Sequence, residues 1–142
     1  MDTPSDVTPL LVVAGADQAI AYYQHALGAQ LVERFTAPDD RVVHAELTIG
    51  AGRIAIKDED VHDRAATTLG GSPVILQIEV ADADAVAEAL LAGGGTVVFP
   101  IADQPYGARQ GRIADPYGFS WLISQQLEQL TDEEIQARLD EA

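Results

Sequence analysis

The sequence predicts an α+β fold in which two β-α-β-β-β modules form a curved sheet around a cavity. Three observations predict it: a repeat within the chain, a helical stripe bracketed by capping residues in each copy, and strand-period runs separated by short turns. The repeat begins Val12-Val13-Ala14-Gly15-Ala16-Asp17-Gln18-Ala19, followed by a helical pattern and Leu27-Gly28-Ala29. It returns as Glu79-Val80-Ala81-Asp82-Ala83-Asp84-Ala85, a second helical pattern and Ala92-Gly93-Gly94.

In the first copy an apolar strand over 10–14 leads into a helix with Ala16, Ala19, Ile20, Tyr23 and Leu27 on one face. Asp17 is placed to cap its start and Gly28 its end. Strands over 30–36, 42–49 and 53–57 follow. In the second copy a strand over 74–80 precedes a helix with Ala83, Val86, Leu90 and Leu91 on one face, bracketed by Asp82 and Gly93. Strands over 96–101, 111–114 and 119–124 complete it. Ala37-Pro38-Asp39-Asp40, Gly50-Ala51-Gly52 and Asp115-Pro116-Tyr117-Gly118 read as turns. The chain is thus a single domain with module one over about 7–58, a crossover over about 59–72, module two over about 73–124 and a C-terminal helical tail over about 128–142. The tail opens at Thr131 and Glu134 with capping-box spacing and carries Ile135 and Leu139 on one side.

Strand alternation sorts the side chains by face. Val43, Ala45, Leu47 and Ile49 form one row, leaving Val42, His44, Glu46 and Thr48 opposite. Val74, Leu76, Ile78 and Val80 point inward, leaving Ile75, Gln77 and Glu79 opposite. Helices cover one face, and the other has the mixed composition of a binding cavity.

Composition narrows the function. With 142 residues, 47% of them apolar, the chain can bury a core of its own. A formal charge of -15 repels phosphate backbones and anionic lipid, which excludes nucleic acid and membrane as partners and favours cationic guests. Much of the acidity lies in the tail: Glu128, Asp132, Glu133, Glu134, Asp140 and Glu141. The absence of cysteine removes disulfides, thiolate metal sites and cysteine nucleophiles. No basic leader and no apolar run of roughly 20 residues is present, so a cytoplasmic protein is expected. There is no phosphate loop, His-Glu-x-x-His or dinucleotide fingerprint, and Gly93-Gly94-Gly95 follows a helix where a fingerprint would open one.

Tyr106 sits between Pro105 and Gly107 in a loop, where no periodicity demands its burial, and is a candidate for ligand contact. Phe35 and Phe99 end corresponding strands and either line a cleft mouth or close the core. His44 and Glu46 share a sheet face and form either a ligand-contacting network or an acid–base pair, with Gln77 as the bland alternative partner. No nucleophile or second acid stands beside them, which favours ligand contact and leaves no catalytic residue assigned. Arg109, in a loop with Arg112 close behind, either forks a ligand carboxylate or phosphate or pairs with Asp103, Asp115 or the tail. Trp121 has the parity of the core.

The paired modules, Ala19-Ile20-Ala21-Tyr22-Tyr23 with Leu27-Gly28, and the closing Asp115-Pro116-Tyr117-Gly118-Phe119 resemble the vicinal oxygen chelate superfamily over residues 7–124. That group includes glyoxalase I, extradiol dioxygenases, fosfomycin-resistance enzymes and bleomycin-resistance proteins. His44-Ala45-Glu46-Leu47 and Pro105-Tyr106-Gly107-Ala108-Arg109 look most like its glyoxalase-like branch. The resemblance implies a divalent metal held by about four ligands, at Thr8 or Pro9, Glu46, about Ile75, and Leu122. Only Glu46 can ligate, and one carboxylate does not offset a cation's dehydration, so no metal and no other cofactor is expected. The resemblance implies that members without metal tend to be binding proteins, including dimers that sequester drugs, and Leu122, at the fourth ligand position, is then a candidate for ligand contact. The expected function is metal-independent binding of an aromatic or cationic natural product by a homodimer, giving resistance or self-protection. The alternatives are a metal-dependent glyoxalase-like lyase or dioxygenase, and a module whose dimerisation is its whole purpose.

Overall fold

The computed structural model describes residues 2–142 and divides into two compact units that meet in sequence between Gly71 and Ser72. Each unit contains a four-stranded mixed sheet and helices. In the first unit the elements are β1 (Leu10–Val13), α1 (Ala16–Leu27), β2 (Gln30–Thr36), β3 (Val42–Ile49), β4 (Gly52–Asp58) and the short helix α2 (Ala66–Leu69). The strand order is β1-β4-β3-β2, with β1 parallel to β4 and the other neighbours antiparallel. The second unit repeats the plan with β5 (Ile75–Glu79), α3 (Ala83–Ala92), β6 (Thr96–Asp103), β7 (Ala108–Ala114) and β8 (Ser120–Gln126), in the order β5-β8-β7-β6. Helix α4 (Asp132–Glu141) closes the chain.

Helix α1 packs on β3 and β4 through Ala16, Ala19, Ile20, Tyr23 and Ala26, against Ala45, Leu47 and Ile56. Each large side chain fully buried there contributes about 1.5–3 kcal/mol. Tyr22 is buried beside Tyr23, edge-on at 5.5 Å between ring centres. The helix starts without a side-chain cap of its own, because Gly15 (φ 92) occupies the N-cap position. The expected cap, Asp17, lies in the first turn and holds Arg34 through two hydrogen bonds of 2.8 and 2.9 Å. Asp58, at the end of β4, takes over the capping: one carboxylate oxygen accepts from the Ala16 amide at 2.7 Å and the other from Val42 at 2.8 Å. In the second unit Gln125 accepts from the Ala83 amide in the same way, while Asp82 caps α3 from within through Ala85.

The buried face of α3 is Ala83, Ala87 and Leu90, so Val86 and Leu91 are half-buried flanks of the expected stripe. One strand row also differs from expectation. Val42 is buried and Val43 is 43% exposed, because the pairing shifts between Phe35 and Thr36 and a bulge reverses parity at the start of β3. In β5, Leu76 and Ile78 are half-buried, and Val74, just before the strand, is exposed. The capping box of α4 forms as its sequence predicts, between Thr131 and Glu134. No helix among the described residues is long and apolar enough to cross a membrane.

The segment after β4 is clasped by Lys57, whose ammonium donates to Asp60 at 2.8 Å and to Asp63 at 2.6 Å. The lysine, with the His62 and Asp63 amides, holds the Asp60 carboxyl well below its ordinary 3.8, and the same contacts raise Lys57 above its ordinary 10.5. A depressed carboxyl stabilises the fold in full above its unfolded value, and the contribution is lost as pH falls through the folded one. A raised lysine works in the opposite sense, present below 10.5 and lost above it. Hydrogen exchange at the His62 and Asp63 amides is therefore expected to stay slow at neutral pH and to accelerate, relative to intrinsic rates, once pH drops below 3.8. Unchanged protection under acid would show that the clasp contributes nothing.

Candidate functional site

In the second unit α3 covers one face of the sheet, where Ile113, Trp121 and Ile123 are buried. On the other face the strand register aligns Gln77, Leu122, Arg112 and Phe99 across β5, β8, β7 and β6. A cavity of about 330 Å³ opens there, lined by Phe99, Gln104, Tyr106, Gln110, Arg112 and Leu122. It thus unites Phe99, Tyr106 and Leu122, which the sequence singled out.

Tyr106 stands in the β6–β7 hairpin loop and is anchored by a relay. Its hydroxyl donates to Gln110 at 2.5 Å, and the Gln110 amide donates to Ser124 at 2.8 Å. Phe99 is 57% exposed, and the Arg112 guanidinium lies 5.2 Å from its ring centre. The Arg112 Nε is buried and has no hydrogen-bond partner among the described residues. Gly111 allows this arrangement, because the β6 backbone bulges between Phe99 and Ala102 and passes directly over it. Gln77 neighbours Leu122 in the register but is exposed and donates to Glu79 at 3.1 Å.

Arg109 does not join this group. It lies within β7, where a loop was expected, and has the parity of Gly111 and Ile113 on the helix side. Its guanidinium is committed to Asp84 at 2.8 and 3.0 Å and to Asp103 at 2.8 Å. Those bonds raise Arg109 above the ordinary arginine value and lower the Asp84 carboxyl. The cation facing the cavity is Arg112. Reading β7 from residue 108 would have found it, since Gln110 and Arg112 then alternate away from Arg109.

In the first unit the matching row is Leu10, Ala55, Glu46 and Glu33. Glu46 thus occupies the register position that Arg112 holds in the second unit, and Glu33 that of Phe99. Phe35 pairs with His44 one step further along and is not the equivalent of Phe99, because a bulge intervenes in each edge strand. Phe35 is 55% exposed. His44 and Glu46 share a face, but each has its own partner: His44 lies 3.7 Å from Glu33, and Glu46 lies 3.7 Å from Arg53.

This donor set does not fit the superfamily's metal. Thr8, Pro9, Ile75 and Leu122 bring no His or carboxylate, and Glu46 faces an arginine. Among the described residues no three His, Asp or Glu side chains converge to hold an ion. A second cavity, of about 550 Å³, lies where β5 and β8 approach the tail. The carboxylates lining it are already engaged: Glu128 holds Arg138 at 2.9 and 3.2 Å, which keeps it below the usual range, and Glu79 accepts from Gln77.

Known proteins resemble the chain over nearly its full length. An uncharacterized protein of Mycobacterium bovis is 35% identical over 138 residues, covering 94% of this chain and 91% of its own. The crystal structure of a gene product from Arabidopsis thaliana superposes with a TM-score of 0.70 at 20% identity, over 86% of this chain and 99% of its own. A genomically encoded fosfomycin resistance protein from Listeria monocytogenes superposes with a TM-score of 0.67 at 14% identity, over 94% and 99%. Residues 7–123 match the family model for these folds, and the chain belongs to the Glyoxalase/Bleomycin resistance protein/Dioxygenase superfamily.

Proposed function

We propose that this protein binds a small aromatic molecule without metal and without turnover, as a cytoplasmic homodimer that sequesters its ligand. The observation that carries the reading is the cavity on the face of the second sheet opposite α3, which combines Phe99, Tyr106 and Leu122 with a few convergent polar groups and no nucleophile. Its lining includes one charged side chain, Arg112, so the cationic guest suggested by the overall charge does not suit this cavity. The dimer is supported by the edge strand of each unit: β2 exposes Leu31, Val32 and Phe35, and β6 exposes Val97, Val98 and Phe99, each an apolar edge that a second copy would cover. The cysteine-free chain needs no oxidising compartment. Sequestration that confers antibiotic resistance or self-protection is the biological role proposed.

Native mass spectrometry of freshly purified protein tests the reading in one spectrum. The expected species is a dimer without stoichiometric metal that gains mass with aromatic acids, and Tyr106→Ala or Phe99→Ala should reduce that gain severalfold. A divalent ion bound once per chain, with an activity lost in Glu46→Ala, would replace this reading with the glyoxalase-like lyase or dioxygenase.

A further inference from the structure

The charge pattern of the cavity says what the ligand carries. Arg34, Arg53, Lys57, Arg109 and Arg138 each hold at least one carboxylate within 4.0 Å. Arg41, Arg64 and Arg112 hold none among the described residues, although the chain has 23 Asp and Glu, and of these three Arg112 is the one that lines the cavity. Its Nε is buried and has no hydrogen-bond partner among the described residues, and its guanidinium lies over the face of Phe99. A guanidinium that holds no carboxylate keeps donor capacity that an acceptor entering the cavity can take up. No carboxylate lines the cavity to supply that acceptor from within.

Resting on the binding reading above, we infer that Arg112 is an anion-recognition residue and that the ligand is a planar aromatic carboxylate. The acid would take the arginine's fork, and the ring would lie against Phe99 and Tyr106. A planar guanidinium matches a carboxylate with two parallel bonds, and stacking of Arg112 on Phe99 orients that fork. The cavity volume, near the lower end of the about 300–1,000 Å³ found for ligand sites, suits one or two fused rings. The net charge of -15 opposes approach at long range, but at contact Arg112 is the nearest charge. The internal repeat sharpens the assignment: the equivalent position in the first sheet is Glu46, so the arginine belongs to the second module alone.

The test is a charge series on one ring system, titrated calorimetrically into the full-length protein: 2-naphthoate, 2-naphthamide and 2-naphthylmethylamine. The acid is expected to bind at least about tenfold more tightly than the amide, the value of one charge-assisted hydrogen bond, with the amine weakest. The Arg112 Nε–H resonance should shift with the acid only. Arg112→Met should erase the preference for acid over amide, and Arg112→Lys should keep part of it. Should Arg112→Met fail to fold, the wild-type series and the Nε–H resonance decide alone. Equal binding of all three compounds, or a preference that survives in Arg112→Met, overturns the anion assignment and leaves the binding reading standing. No binding by any of the three overturns both.

Discussion

Replacing Asp115 with alanine is expected to lower stability by about 4 kcal/mol, because three donors, two of them in buried hydrogen bonds, converge on this carboxylate and each charge-assisted bond is worth about 1.5–3 kcal/mol. Its Oδ1 accepts from the Tyr117 amide at 2.8 Å and the Phe119 amide at 3.0 Å, and its Oδ2 accepts from the Trp121 indole at 2.9 Å. Asp115 is 7% exposed and Trp121 3%, so water cannot replace what is lost. Urea unfolding followed by the fluorescence of the single tryptophan would measure the change as a lower midpoint with unaltered slope. Asp115→Asn keeps an acceptor for the two amides but turns an amide group toward the indole, so a smaller loss is expected. A change below about 1 kcal/mol in Asp115→Ala would show that the turn is held by other contacts.

Gly111→Val is expected to cost about 3 kcal/mol and to impair ligand binding in whatever fraction still folds. A Cβ at this position would lie 2.7 Å from the Ile101 side chain and 2.8 Å from both the Ile101 nitrogen and the Phe99 carbonyl oxygen. Two of those atoms are backbone, so the β6 bulge must move, and Phe99 moves with it away from Arg112. Gly52→Ala is the matched control. A Cβ there would meet only the Ile49 carbonyl oxygen at 3.5 Å, and thermal unfolding should be nearly unchanged. Equal effects of the two substitutions would remove the link between the bulge and the cavity.

Much of the fold was legible in sequence because local periodicity encodes it. The apolar face of α1, the Gly28 and Asp82 caps and the capping box of α4 are all written within a few turns of chain, whereas the buried face of α3 runs through Ala87 and leaves Val86 and Leu91 at its flanks. The burial of Trp121 followed from its alternation with Leu122. The candidate site was legible only in outline. Phe99, Tyr106 and Leu122 were found as an aromatic and apolar set, while Arg112, one strand step from Gln110, was overshadowed by Arg109 in an assumed loop. The cap of α1 was misplaced because Asp58 lies forty-two positions away in sequence from the amide it serves.

By itself the sequence determined the two-module α+β plan, the acidity and the scarcity of metal donors, since these depend on composition and short-range period. Only the tertiary structure decided which arginine faces the cavity, which phenylalanine meets it and what caps the first helix. Those outcomes depend on bulges and strand register, and a single inserted residue reverses the face of every side chain beyond it.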